Sequence, residues 1–249
     1  MDAPLLETCT LTKEFGGLTA VDGVSITFDG DNLLSIIGPN GAGKTTFFNL
    51  ITGSLLPTDG AILFQGDDIT DLPMEEVARV GIVRSYQISE LFMEMSVLEN
   101  VRVAVQTDYD SYDFWSQIDA NEEIDERAHR TLERVGLDHK SEDLAKTLSH
   151  GEQRTLEIAI SLGADPELLL LDEPSSGMSP EEMSEIIHLI EELAGTQSII
   201  LIEHKMSFVR QVSDRIMVLH NGTKIAEGSP QEIQANEQVQ RVYLGGEQL

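Results

Sequence analysis

The nine residues Gly38-Pro39-Asn40-Gly41-Ala42-Gly43-Lys44-Thr45-Thr46 restrict the possible folds of this chain more than any other stretch. A glycine, four residues and then Gly-Lys-Thr is the spacing of a phosphate-binding P-loop, and the apolar run Leu33-Leu34-Ser35-Ile36-Ile37 stands just before it. Such a loop works only between a buried strand that delivers it and a helix whose first amides face a phosphate. The helix-forming run Thr46-Phe47-Phe48-Asn49-Leu50-Ile51 meets the second condition. Glycine lets backbone N–H groups wrap the β- and γ-phosphates without a Cβ in the way. Lys44 is then expected to bring its charge to those phosphates, and the Thr45 hydroxyl to bind Mg²⁺. An ordinary glycine-rich strand–helix turn is the competing reading, and the agreement of strand, loop and helix weighs against it. The expected ligand is a nucleoside triphosphate.

Composition narrows the setting. At 249 residues the chain suits one large domain, or a core carrying an inserted subdomain. Pro4 and Glu7 interrupt the start, so no signal peptide is expected, and no apolar run has the length needed to cross a bilayer. The single cysteine, Cys9, excludes an internal disulfide and is expected to be a buried structural thiol in a reducing compartment. Asp and Glu number 44 against 16 Lys and Arg, which gives a formal charge of −28 and a pI near 4.3. That surface argues against nucleic acid and anionic membrane as direct partners. The acids are spread over the whole chain, which excludes a disordered acidic tail. A halophile's protein, hydrated in molar salt, fits this composition better than a merely acidic mesophilic one.

In chain order, Leu5–Leu11 and Val24–Phe28 read as strands with one buried face, separated by Phe15-Gly16-Gly17. Phe15 is either a core plug at a strand end or an aromatic face for a nucleobase. After the P-loop helix, Gly53 and Pro57 stop the run, and Gly60–Phe64 reads as a strand. Leu72–Ala78 reads as a short helix, and Gly81–Tyr86 as a strand ending at Gln87. From Ile88 to about Ser161 the pattern is mainly helical. Ser96 and Glu99 form a capping box, and Asn121–Val135 has helical spacing with Gly136 as its stop. Thr107–Gln117 holds Tyr109, Tyr112, Phe114 and Trp115 among acids and reads as a surface excursion with aromatic anchors.

Three later stretches carry chemistry. In Leu148-Ser149-His150-Gly151-Glu152-Gln153, Ser149 and Glu152 form a second capping box, and the same helix start is also a place to receive a phosphate. Leu168–Leu171 suits a strand buried on both faces of a parallel sheet, and its end, Asp172-Glu173, falls where such sheets bind ligands. Asp172 suits water-mediated Mg²⁺ coordination, and Glu173 suits a base for the attacking water. A second apolar strand, Ser198–Ile202, ends in Glu203-His204 and puts a histidine on the same edge, where it suits a γ-phosphate contact.

Together these stretches resemble the ATPase subunits of ABC transporters over essentially the whole chain. Gly38–Thr46 looks like Walker A, Gln87 like the Q-loop, Leu148–Gln153 like the signature, Leu168–Glu173 like Walker B, Ser175–Ser179 like the D-loop and His204 like the H-loop. Phe15 looks like the A-loop aromatic. Their order along one chain is far more specific than any one of them. The resemblance implies an α/β P-loop core with an antiparallel β edge (residues 1–87 and 161–249) and a helical subdomain inserted at 88–160. It implies ATP held by Phe15, Val21, Pro39, Asn40, Gly41, Ala42, Gly43, Lys44, Thr45 and Thr46, and by Ser149, Gly151 and Glu152 of a partner. It implies Mg²⁺ at Thr45, Gln87 and Asp172, with Glu173, His204, Gln87 and Lys44 in catalysis. His150 stands where the signature has glycine, Glu152 where glutamine is common, and Ser179 where the D-loop has aspartate.

The segments Gly81–Gln87 and Leu91–Asn100 and the ending Glu227–Gly245 are similar to importers of branched-chain amino acids. Ser149-His150-Gly151 and Gly177–Pro180 also occur in related urea and short-chain amide importers. The implied machine has two ATPase subunits, alike or paralogous, that sandwich two ATP molecules. They sit peripherally on the cytoplasmic face of the membrane beside two permease subunits, contacted through Gln87–Asn100, with a substrate-binding protein further off. A chromosome-maintenance ATPase would place hundreds of coiled-coil residues between Gln87 and Ser149, which here lie 62 positions apart. A translation-factor ATPase would carry two copies of the motifs. A non-hydrolysing nucleotide-binding regulator is opposed by the presence of Glu173 and His204, though the altered D-loop suits it.

Overall fold

The computed structural model of the protein describes residues 3–30, 32–85, 91–106 and 117–244. Strands β1 (Leu6–Phe15) and β2 (Leu18–Phe28) form a hairpin about Gly16-Gly17, and β3 (Leu33–Ile37) delivers the P-loop to α1 (Lys44–Ile51). Then come β4 (Asp59–Phe64), β5 (Asp67–Asp68), α2 (Met74–Arg79) and β6 (Ile82–Ser85). A mainly helical stretch holds α3 (Val97–Val105), α4 (Gln117–Arg134) and α5 (His150–Gly163). The chain continues through β7 (Leu168–Asp172), α6 (Pro180–Ala194), β8 (Ser198–Ile202), α7 (Met206–Val212), β9 (Arg215–His220), β10 (Thr223–Gly228), α8 (Pro230–Ala235) and α9 (Glu237–Leu244).

These strands build an antiparallel sheet in the order β2-β1-β4-β5 and a second sheet in the order β10-β9-β3-β8-β7-β6. The second is parallel apart from β10, which runs antiparallel to β9 at one edge. Its central strands β3 and β7 are buried at every position, as a sheet covered on both faces requires. Successive side chains leave opposite faces. Leu33, Leu169, Leu171, Ile199 and Leu201 pack with Val101, Leu132, Leu156 and Ile190 of the helices. Leu34, Ile36, Leu168, Leu170, Ile200 and Ile202 pack with Phe47 and Phe48 of α1 and with Ile26 and Phe28 of the hairpin. The helical stretch therefore shares one apolar layer with the sheet. Phe47 is fully buried in the other layer, and truncating it to alanine would cost about 3–5 kcal/mol.

Because β3, β8 and β7 are parallel neighbours, their C-terminal ends lie on one edge. The P-loop, His204 and Asp172-Glu173 leave from that edge, where open α/β sheets bind ligands. Among the described residues four helices begin with the same device, a serine that accepts the amide of a glutamate three residues on while the glutamate accepts the serine's amide. The pairs are Ser96–Glu99, Ser149–Glu152, Ser179–Glu182 and Ser229–Glu232.

Two expectations change. Cys9 is half-buried rather than buried, because the alternation along β1 sends Leu6 and Thr8 inward and Glu7 and Cys9 to the other face. Strands β1 and β2 run on to the Gly16-Gly17 turn, well past Leu11 and back before Val24, through register shifts that break simple alternation. Gln87 and most of the aromatic Thr107–Gln117 segment lie outside the described residues.

Candidate functional site

The P-loop closes one side of a cavity of about 580 Å³, whose other walls come from the end of the hairpin, the end of β7 and the β9–β10 turn. Two glycines in the loop are required by space. A Cβ on Gly38 would lie 2.2 Å from the carbonyl oxygen of Leu219, and one on Gly43 2.4 Å from that of Ala20. Gly43 also has φ +103° and caps α1 with no side chain, leaving the first amides of the helix open to the cavity. Among the loop residues, Asn40, Gly41, Ala42, Gly43, Lys44, Thr45 and Thr46 line the cavity. Pro39 does not, but its carbonyl accepts the amide of Ala42 at 3.1 Å and so tightens the turn.

Lys44 is nearly buried, and its ammonium donates to the carbonyl oxygens of Gly38 at 2.8 Å and Pro39 at 3.2 Å. Burial lowers its pKa from the ordinary lysine value, and the carboxylates of Glu173, Asp172 and Glu203 pull in the opposite direction. Of these acids Glu173 lines the cavity with Lys44, while Glu203 acts on its charge only from a distance. Thr45 is exposed on the first turn of α1 at the cavity wall, and Asp172 lies close to Lys44 at the end of β7. Among the described residues no three His, Cys, Asp or Glu converge as a ready-made metal site.

Glu173 lines the cavity with a quarter-exposed side chain, and its backbone sits at φ +46°. Its amide donates to the carbonyl of Ile202 at 2.9 Å, tying the end of β7 to the end of β8. His204 is half-exposed, with Nδ1 3.8 Å from Glu173 Oε1, so the two candidates for catalysis stand side by side. Phe15 is exposed at the cavity wall, with Lys13 Nζ 5.3 Å from its ring centroid, and is not the core plug that one reading allowed.

Val21 is corrected. It is fully buried among Leu6, Phe28 and Phe47, while Leu18, Thr19 and Ala20 supply that part of the wall. The alternation of β2 turns its side chain inward. Ser149, Gly151 and Glu152 are not brought to the cavity within one chain. They stay at the start of α5, where Glu152 Oε1 pairs with Lys140 at 2.5 Å and the amide of Gly151 donates to Glu182 Oε1 at 3.1 Å. Ser179 caps α6.

Two charged residues escaped the sequence reasoning. Arg84, on β6, forms a buried ion pair with Asp172 and donates to Asn49 Oδ1 at 2.6 Å. Its signal was an arginine inside an apolar strand. Glu203 is fully buried and accepts the amides of Ser175 at 2.9 Å and His204 at 3.0 Å. Its signal was a carboxylate closing an apolar strand, the same signal that singled out Asp172.

Comparison with known proteins agrees with this geometry. Residues 21–176 match the family described as ABC transporter, and residues 223–248 match the family described as branched-chain amino acid ATP-binding cassette transporter. The chain is 42% identical to the high-affinity branched-chain amino acid transport ATP-binding protein LivG of Escherichia coli K12, over 98% of this chain and 99% of that one. It is 38% identical to a probable branched-chain amino acid transport ATP-binding protein LivG of Archaeoglobus fulgidus, over 98% and 96%. Among solved structures, the ADP conformation of an ATP-binding cassette of an ABC transporter superposes with a TM-score of 0.85 at 32% identity, covering 97% of this chain and 99% of that one. With the cavity, the sheet edge and the motifs in agreement, the chain belongs to the ABC transporter family, as one of its ATP-binding, ATP-hydrolysing subunits.

Proposed function

We propose that this chain powers the import of branched-chain or other hydrophobic amino acids through separate permease subunits. The observation that carries the ATPase half of this reading is that Lys44 and Glu173 line one cavity beside a helix start with open amides, with His204 Nδ1 3.8 Å from Glu173. The cargo rests on the match of residues 223–248 and on the names of the relatives.

In this reading Lys44 and the P-loop amides hold the β- and γ-phosphates, and Phe15 offers its exposed ring to the base. Thr45, Asp172 and Gln87 would hold Mg²⁺, which would supply neutralisation of charge on the phosphates. Glu173 orients and deprotonates the attacking water, and His204 donates to the γ-phosphate from the neighbouring strand. Phosphoryl transfer leaves the protein mainly positioning and electrostatic work, which suits side chains fixed at strand ends.

Residues 88–160 act as an inserted helical subdomain that faces the permeases. Phe92, Met93 and Met95 lie exposed along 91–100, an apolar patch suited to a helix of a membrane partner. Ser149 and Gly151 serve the nucleotide of a second ATPase subunit, which supports a dimer as the active form. No helix among the described residues is long and apolar enough to cross a membrane, so attachment at the cytoplasmic face falls to those permeases. Uptake of labelled leucine by source cells carrying chromosomal Lys44→Ala tests the cargo. Loss of uptake is expected, and unchanged uptake with active ATPase elsewhere in the same system would overturn the amino-acid reading.

A further inference from the structure

Glu173 occupies a backbone conformation that its neighbours must enforce. It has φ +46°, which residues with a Cβ adopt at a cost, and it precedes Pro174, whose ring disfavours helical backbone at the residue before it. Such a residue keeps its geometry only where surrounding contacts over-determine it. The contacts come from both sides of His204. Glu203, fully buried, takes the amide of Ser175 on Oε1 at 2.9 Å and the amides of His204 and Lys205 on Oε2 at 3.0 and 3.4 Å. Lys205 reaches the same residue from the other side, donating from Nζ to the Ser175 carbonyl at 2.8 Å. Ser175 itself is fully buried, two residues beyond Glu173. One carboxylate thus bridges two loops, an oxygen for each, and an ammonium closes the grip.

We propose that Glu203 and Lys205 form a clamp on the Ser175 peptide that positions Glu173 for hydrolysis and keeps it in step with His204. The proposal deepens the reading of Glu173 as the base and rests on it. Neither side chain lines the nucleotide cavity, so both are positioning residues. Losing the clamp should loosen the base by a fraction of an ångström and leave ATP binding alone.

Single-turnover hydrolysis and equilibrium ATP binding by the full chain test this in Glu203→Gln, Lys205→Met, Glu173→Gln and their pairs. Glu203→Gln keeps the shape but turns one acceptor into a donor aimed at a backbone N–H. The expected result is a rate lower by roughly 10- to 100-fold with ATP affinity within about twofold of wild type. In the Glu173→Gln background the same substitution should alter the residual rate by less than about twofold, since no base remains to be positioned. A full further loss in that background, or a fall in affinity that matches the fall in rate, would overturn the clamp and leave Glu203 a folding residue. If Glu203→Gln does not fold, Lys205→Met, at a half-buried position, gives the same two readouts. Glu173→Gln running at the wild-type rate would overturn the base assignment instead, an outcome distinct from failure of the clamp.

Discussion

Lys44 is the residue on which the phosphate reading turns. Its ammonium is held over the loop by two carbonyl oxygens, in a position that phosphates can take over. Lys44→Ala removes a charged donor from those phosphates, at about 1.5–3 kcal/mol, or roughly ten- to hundredfold in Kd for ATP. A fluorescent-nucleotide titration measures it, and an unchanged Kd would show that the loop does not hold the phosphates. Glu173→Gln keeps size and backbone but removes the base, so hydrolysis should slow by about 10² to 10⁴ while ATP still binds. The same variant should accumulate as a closed, ATP-bound dimer in light scattering. Lys44, Thr45 and Glu173, which motif spacing picks out, all line the cavity, so their placement was legible in the sequence. Arg84 and Glu203 were not singled out, because a charged residue in an apolar strand gains its meaning from the strand beside it. Val21 was misplaced for the converse reason: family spacing says which segment reaches the nucleotide, and strand alternation decides which side chain does.

At the scale of elements, helix starts were partly legible: the Ser-x-x-Glu boxes at Ser96 and Ser149 were read from the sequence, while the same pattern at Ser179 and Ser229 was passed over as a box. The long hairpin was less so, because the register shifts along β1 spoil the period-two pattern. The capping boxes carry a pH signature. The amide of Ser229 holds Glu232 below its ordinary value, as that of Ser96 does for Glu99 and that of Ser179 for Glu182, while at Glu152 the Lys140 ammonium is the larger cause. A carboxylate with a depressed folded pKa contributes stability above its unfolded pKa and loses it as pH falls through the folded one. The stability that the boxes contribute is therefore lost as pH drops below about 4.5, so the difference in melting temperature between wild type and Glu232→Gln should shrink there. A pH series of thermal melts on both proteins checks it; parallel curves would mean that the box on α8 contributes nothing. The start of α5 makes a different demand. Ser149 is exposed and lies outside its own chain's cavity, so Ser149→Arg should leave a folded subunit that binds ATP yet has lost cooperative hydrolysis. Loss of ATP affinity in that variant would place the segment in the same-chain site and end the sandwich reading.

For the whole molecule the governing quantity is charge. With −28 on 249 residues, like-charge repulsion opposes the compact state whenever salt is too dilute to screen it. The few cations have little left to give. Of the six lysines, Lys140, Lys146 and Lys224 each pair with one glutamate, and Lys13, Lys44 and Lys205 hold backbone carbonyls. Most of those pairs are partly exposed and weak, so they cannot offset an excess of 44 acids over 16 bases. The Debye length is about 10 Å at 0.1 M salt and about 3 Å at 1 M, so neighbouring surface carboxylates repel far less in molar salt. Screening weakens the ion pairs too, but the acids outnumber their partners and relief of repulsion wins. We therefore expect melting temperature and ATPase rate to rise together as KCl goes from 0.1 M to above 1 M. An osmotically matched sugar separates this from simple exclusion, since it favours the compact state without screening charge, and its effect should be smaller. A flat or falling melting curve across the KCl series would leave the acidic composition without a halophilic explanation.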